Sequence, residues 1–349
     1  MKRFIALMLA FLMIFALAAC GSQEETPTNT DTATGDDVNT DDTNQEPIQI
    51  RMSEASSSTN TSCLAQNYFK EILEERSNGR FEVVLYQDGQ LGTENETWDM
   101  IQQGTLEMMV CGSGTEQTFL PEYSVTSACY VFDSYDQYER VFRDETVMGM
   151  LNGALKEAKD ARVLWTWERG ARNLTANKEI DLPEDIEGVK LRVPGTEIFI
   201  RTWESMGAKI VSMSFNELYT ALETGTCEAQ ENPVDTILAS SLYEVQDYLM
   251  LTEHVYNCGY VVINDTFWNS LSAEDQDLLM ECVKEAGEWN DEAIETGYAD
   301  TLAQLEEHGM TIVEVDRNAW IEALSPLIDE LSESMGWDKD FTEAVLAVE

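Results

Sequence analysis

The chain has 349 residues, 66 of them Asp or Glu against 21 Lys or Arg, for a formal net charge of -45. A field of that sign repels phosphates and excludes nucleic acid as a partner. With only His254 and His308, each outside any motif, no Ser-His-Asp or Cys-His arrangement, HExxH, zinc spacing or glycine-rich phosphate loop is evident, so no metal, cofactor or catalytic activity is indicated.

In chain order, Met1-Lys2-Arg3 and the apolar run Phe4 to Leu17 have the shape of an export signal. Leu17-Ala18-Ala19-Cys20 then matches a bacterial lipobox, which makes 1–19 a signal peptide and Cys20 a lipidated first residue on the outer face of the cell membrane. Residues 20–47, rich in Thr, Asp, Asn and Glu, lack the apolar surface to offset ordering entropy and read as a disordered acidic tether. Residues 48–349 are long enough for two lobes with a sizeable core.

Ile48 to Met52 alternates and predicts an opening strand that Ser53-Glu54-Ala55 ends at a cleft. Asn60 to Ser77, with Leu64, Phe69, Ile72 and Leu73 at helical spacing, predicts a helix stopped by Asn78-Gly79. Phe81 to Tyr86 follows as a strand, Glu94 to Gln103 as a helix ended by Gly104, and Met108 to Val110 as a buried strand. The βαβαβ order points to a mostly parallel sheet.

Further on, Leu182-Pro183-Glu184-Asp185 opens a helical turn closed by Gly188, and Val189 to Val193 reads as a strand stopped by Pro194-Gly195. Arg192 therefore lies at a strand end. Ser214 with Glu217 forms a capping box for a helix from Phe215 to Gly225, and Cys227 to Gln230 is a strand broken by Asn232-Pro233. Val261 to Asn264 is a strand, Ser272 caps a long helix from Ala273 towards His308, Met310 to Val315 is a last strand, and Asn318 to Met335 and Phe341 to Val348 are terminal helices. Six cysteines of the mature chain, Cys63, Cys111, Cys129, Cys227, Cys258 and Cys282, fit disulfides and buried thiols equally. From spacing alone, an arginine at a strand end is a solvated residue or half of a salt bridge, and this acidic chain offers partners in excess.

The ordered pattern R-x-L-T from Arg172, L-P-E-D-I-x-G-x-K-L-R-V-P, M-G-A, F-N-E-L-Y-x-A-L-x-T-G and Q-E-N-P resembles the solute-binding proteins of TRAP transporters, the DctP-like family. LYQDGQLGTENE, YEVQDYLMLTEH and FWNSLSAEDQ extend the likeness over nearly the whole mature chain. The resemblance implies an α/β, two-lobed periplasmic-binding-protein-like fold with a central cleft and a long helix crossing both lobes. Lobe I would take 48–170 with about 258–300, and lobe II 171–257 with about 301–349. It also implies a receptor that hands a small organic acid to a membrane permease: a sugar acid such as a uronate first, a C4-dicarboxylate or 2-oxo acid after it. A receptor for a membrane sensor kinase and an exported hydrolase are the alternatives.

In that family an arginine of the K-L-R-V-P strand pairs with the ligand carboxylate, a role implied for Arg192, since a guanidinium fork matches two carboxylate oxygens. Arg172 and Asn232 fall where similar proteins place a second arginine and a ligand-binding asparagine, and Phe215 would form an apolar wall. Glu54 and Glu94 fall where relatives place side chains that touch ligand hydroxyls; Glu94 is equally a first-turn acid favoured by the helix dipole. Of the tryptophans Trp165, Trp167, Trp203 and Trp268, core packing is expected, with Trp167, just before Gly170, the candidate exception.

Overall fold

The computed structural model describes residues 46–348, so the expected signal peptide and Cys20 lie outside the described residues. Strands β1 (Ile48–Ser53), β2 (Phe81–Tyr86) and β3 (Met108–Gly112) alternate with helices Thr61–Arg76 and Glu94–Gln102. Each helix starts where a polar side chain takes up a free backbone N–H: Asn60 accepts from Ser62, and Thr93 and Glu96 cap each other's backbone. β1 pairs parallel with both β2 and β3, as the βαβαβ order predicts.

The remaining strands are β4 (Ala161–Ala176), β5 (Lys190–Val193), β6 (Lys209–Ser212), β7 (Ala229–Pro233), β8 (Tyr248–Asn264) and β9 (Thr311–Val313). All nine form one sheet in the order β2-β1-β3-β8-β4-β7-β5-β6, with β9 on β8. β4 and β8 run antiparallel through its middle. β3 pairs with one end of β8, while β7 pairs with the opposite end of β4, so two parallel flanks share two long strands. This is the two-lobed fold with a cleft between the flanks.

The shared strands are far longer than the four residues expected at Val261 to Asn264. Their register slips between Val163 and Trp165, between Glu168 and Gly170, and between Arg172 and Leu174, which breaks the alternation that marks a strand in sequence. Gly170 sits at the middle slip with φ 80, a backbone that costs glycine nothing. β7 also departs from expectation: it runs through Asn232 and ends at Pro233, where no further ladder N–H is required.

Helix Ala273–Glu307, 35 residues long and capped by Ser272, packs on helix Thr61–Arg76, on β4, on helix Val234–Ala239 and on β9, and so crosses both flanks. Gly287 permits its close seat: a Cβ there would stand 2.7 Å from Trp167. Farther along, Asn290 Nδ2 donates to the Glu168 carbonyl at 2.8 Å and Asp291 Oδ1 accepts from the Glu168 N–H at 2.6 Å, so the helix grips β4 beside its slip.

Three apolar clusters make the core, one around Trp98, Tyr260 and Trp320, one around Phe69, Trp167 and Val283, and one around Leu222, Ile237 and Leu249. Leu64, expected on the buried face, is 42 % exposed; Cys63, Gln66, Phe69 and Leu73 face inward instead. The last helix, Lys339–Leu346, packs on Glu145–Lys159 and Pro121–Ser127. The six cysteines among the described residues are free and buried, and burial pushes each of their thiols up. No described helix is long and apolar enough to cross a membrane.

Candidate functional site

Where the flanks face each other, a cavity partly open to solvent is lined by Arg169, Arg172 and Arg192 together with Glu94, Phe215 and Asn232. β4 supplies the first two arginines and β5 the third. The chain ends of parallel strands meet here, the usual location of a ligand in an open α/β sheet.

Arg192 is 2 % exposed, and its Nη2 donates to the Met213 carbonyl at 2.8 Å. Its Nε has no partner, and among the described residues no carboxylate forms an ion pair with it. Burial pushes the guanidinium down to about 10; the nearby Glu231 charge opposes that shift and Arg172 adds to it. A buried cation without a counter-ion is costly, and an anion in the cavity would relieve it.

Arg172 is in the opposite situation. Its Nε and Nη2 grip the Glu231 carboxylate, Nη2 with Oε1 at 2.8 Å, and Nη2 also donates to the Glu231 carbonyl at 2.6 Å and to Asn232 Oδ1 at 3.1 Å. Burial alone would raise the Glu231 carboxyl, but the Arg172 charge and hydrogen bonds from His254 and Arg172 hold it down at about 2. His254 Nε2 lies 3.1 Å from Glu231 Oε2, and Nδ1 lies 2.8 Å from the Thr252 hydroxyl. Burial lowers the imidazole pKa against the pull of Glu231. The neutral tautomer with hydrogen on Nε2 serves both contacts. His254 is thus a structural residue.

Other expected positions divide. Glu94 lines the cavity, and its Oε1 accepts from the Gly112 N–H at 3.0 Å, so the side chain is both wall and clasp. Glu54 does not line the cavity. It lies behind the wall, 2 % exposed, accepting from Arg169 Nη2 at 2.6 Å, from Ser62 Oγ at 2.5 Å and from Gln66 Nε2. Trp167 is a correction: it does not line the cavity but is fully buried under the long helix, where Gly287 leaves room for its ring and its Nε1 donates to the Val283 carbonyl at 3.0 Å.

Arg169 was not expected at all. It is the extra residue of the slip between Glu168 and Gly170, and only a register shift, invisible without pairing, aims it inward. Contacts also bridge the two flanks at the cavity mouth: Asn216 lies against Gly89, and Asp235 accepts from Asn60 Nδ2 at 2.6 Å and Thr61 Oγ1 at 3.0 Å. Among the described residues no group of three or more His, Cys, Asp and Glu could hold a metal ion.

The family model described as bacterial extracellular solute-binding protein, family 7, matches residues 52–334. The chain is 30% identical over 266 residues to the sialic acid-binding periplasmic protein SiaP of Vibrio cholerae, covering 76% of this chain and 83% of that one. Solved structures share its fold, among them two with a bound sugar acid. The TRAP periplasmic solute-binding protein of Roseobacter denitrificans with bound L-galactonate is 28% identical with a TM-score of 0.79, covering 87% of this chain and 99% of that one. The sugar acid binding protein of Advenella mimigardefordensis in complex with galactonate is 29% identical with a TM-score of 0.82, covering 87% and 98%.

Proposed function

The chain belongs to bacterial extracellular solute-binding protein family 7, the DctP family of TRAP solute-binding proteins, and on that premise we propose that it captures a sugar acid by its carboxylate on Arg192. It is a binding protein and not an enzyme; TRAP solute-binding proteins take up small organic acids outside the cytoplasm and work with a membrane permease.

One observation carries the ligand class: in a chain with 66 acidic residues, the Arg192 guanidinium is buried at the cavity wall without a carboxylate. A ligand carboxylate completes it with two parallel charge-assisted hydrogen bonds. Arg172, fixed by Glu231, and Asn232 would hold the same end, with Phe215 packed on the carbon skeleton. Glu94 favours hydroxyls over a second carboxylate, which it would repel. Names of similar proteins support the same class, with galactonate bound in two of them.

The lobes would be 48–170 with about 258–300 and 171–257 with about 301–349. Closure about Gly170 would exclude water from the ligand. Anchoring through Cys20, supported by Leu17-Ala18-Ala19-Cys20, would hold the receptor on the outer face of the membrane near its permease.

Calorimetry of the soluble domain with galactonate, glucuronate and succinate tests the reading. Binding of a sugar acid by the wild type, weakened by about 1.5–3 kcal/mol in Arg192→Lys with the melting temperature kept, supports it. Unchanged affinity in that variant, or a preferred ligand without an acidic group, ends it.

A further inference from the structure

The cavity has a third guanidinium, that of Arg169, which neither the family pattern nor the ligand-carboxylate argument uses. Arg169 lies in a slot left by two cross-strand glycines: Gly112 and Gly259 are paired between β3 and β8, and a Cβ on them would stand 3.5 Å from Arg169 Nη1 and 3.2 Å from Nε. Nη2 is its only nitrogen with a hydrogen-bond partner among the described residues, and the buried Nε has none. The partner of Nη2, Glu54, is itself buried and held by Ser62 and Gln66, so the Arg169 charge is compensated within the wall. Glu94 sits beside the slot, a Gly112 Cβ being 4.0 Å from its Oε1, and its Oε2 has no partner among the described residues.

We propose that Arg169 is a specificity-determining residue, which with Glu94 reads the hydroxyl-bearing end of a monoacid and turns away a ligand with a second carboxylate. The proposal rests on the reading of Arg192 as the carboxylate site. A hydroxyl group both accepts and donates, so one hydroxyl can accept a hydrogen bond from an N–H of Arg169 and donate one to the Glu94 carboxylate. A second carboxylate accepts only. It would meet a guanidinium already neutralised by Glu54 and a Glu94 of like charge. The two ends of the cavity are therefore chemically unlike: an uncompensated cation at Arg192, and a compensated donor flanked by an acceptor at Arg169. A site built to hydrogen-bond hydroxyls also discriminates against analogues without them, since its buried polar groups are then left unpaired.

The test is calorimetry of the purified protein, by competition where binding is weak, with galactonate, lactate and succinate as probes. In Arg169→Gln, galactonate affinity is expected to fall by about tenfold or more while lactate changes less than about twofold. Arg169→Lys, which keeps the charge beside Glu54 and loses the fork, is expected to show the same selective loss with an unchanged melting temperature; it decides the matter if Arg169→Gln fails to fold. Glu54→Gln releases the Arg169 charge and is expected to raise succinate affinity by about tenfold. Equal loss for galactonate and lactate in the folded variants, no loss for either, or no gain for succinate overturns the proposal. If the wild type binds none of the three, or Arg192→Lys leaves all three unchanged, the carboxylate reading itself has failed.

Discussion

Arg172 and Arg192 line the same cavity and are both nearly inaccessible, yet their surroundings are opposite. Arg172 is locked to Glu231, which is also held by His254, itself fixed by the Thr252 hydroxyl. Arg192 has one carbonyl and an idle Nε. A buried charge with its partner belongs to the scaffold, whereas one without a partner is kept against its own cost and signals a ligand.

The contrast gives one substitution two opposite outcomes. Arg192→Met should remove both charge-assisted bonds to a ligand carboxylate, about 3–6 kcal/mol of affinity by calorimetry. The same variant without ligand should melt no lower than the wild type, because an unpaired buried charge has been replaced by an apolar side chain. Arg172→Met leaves the buried Glu231 charge without its cation, with only the His254 contact, and should cost about 3–5 kcal/mol in urea unfolding. If both variants lose stability alike, the distinction between them is wrong.

Acid sharpens it next. Glu231 has a folded pKa depressed to about 2, so its contribution is fully present above the unfolded carboxylate range near 4 and is lost as pH falls through the folded value. That contribution, on the order of 3 kcal/mol, should be missing from the acid limb of Glu231→Gln when both proteins are unfolded between pH 5 and pH 2. At the alkaline end the sign concerns binding. Free Arg192 loses its proton near 10 while a bound carboxylate retains it, so affinity should fall as pH rises through about 10. Phe215→Ala should have the smallest effect, about 1 kcal/mol of affinity with stability nearly unchanged, since the ring is only partly buried.

Much of the frame was legible because local chemistry announced it. Asn60, the Thr93–Glu96 pair, Ser214 with Glu217 and Ser272 mark helix starts that need no tertiary information. The K-L-R-V-P strand was equally plain, whereas the role of its arginine came from the family resemblance and not from spacing. What stayed hidden depended on pairing. β4 was not read as a strand and β8 only at Val261 to Asn264, because each slip resets the alternation of inward and outward residues, and the slip at Arg169 is what brings that side chain into the cavity. Glu54 was found in sequence as a polar residue at a strand end, but whether it meets the ligand or stands behind an arginine is a matter of which side chain gets there first.

Five of the six buried sulfhydryls give the folded chain a built-in gauge. Cys282 lies with Phe69 and Trp167, Cys111, Cys129 and Cys258 lie with Trp98 and Tyr260, and Cys227 lies with Leu222. A maleimide reagent can reach each only when its own neighbourhood opens. Labelling followed by mass spectrometry would therefore time the opening of each cluster separately, and show which of them a captured solute slows.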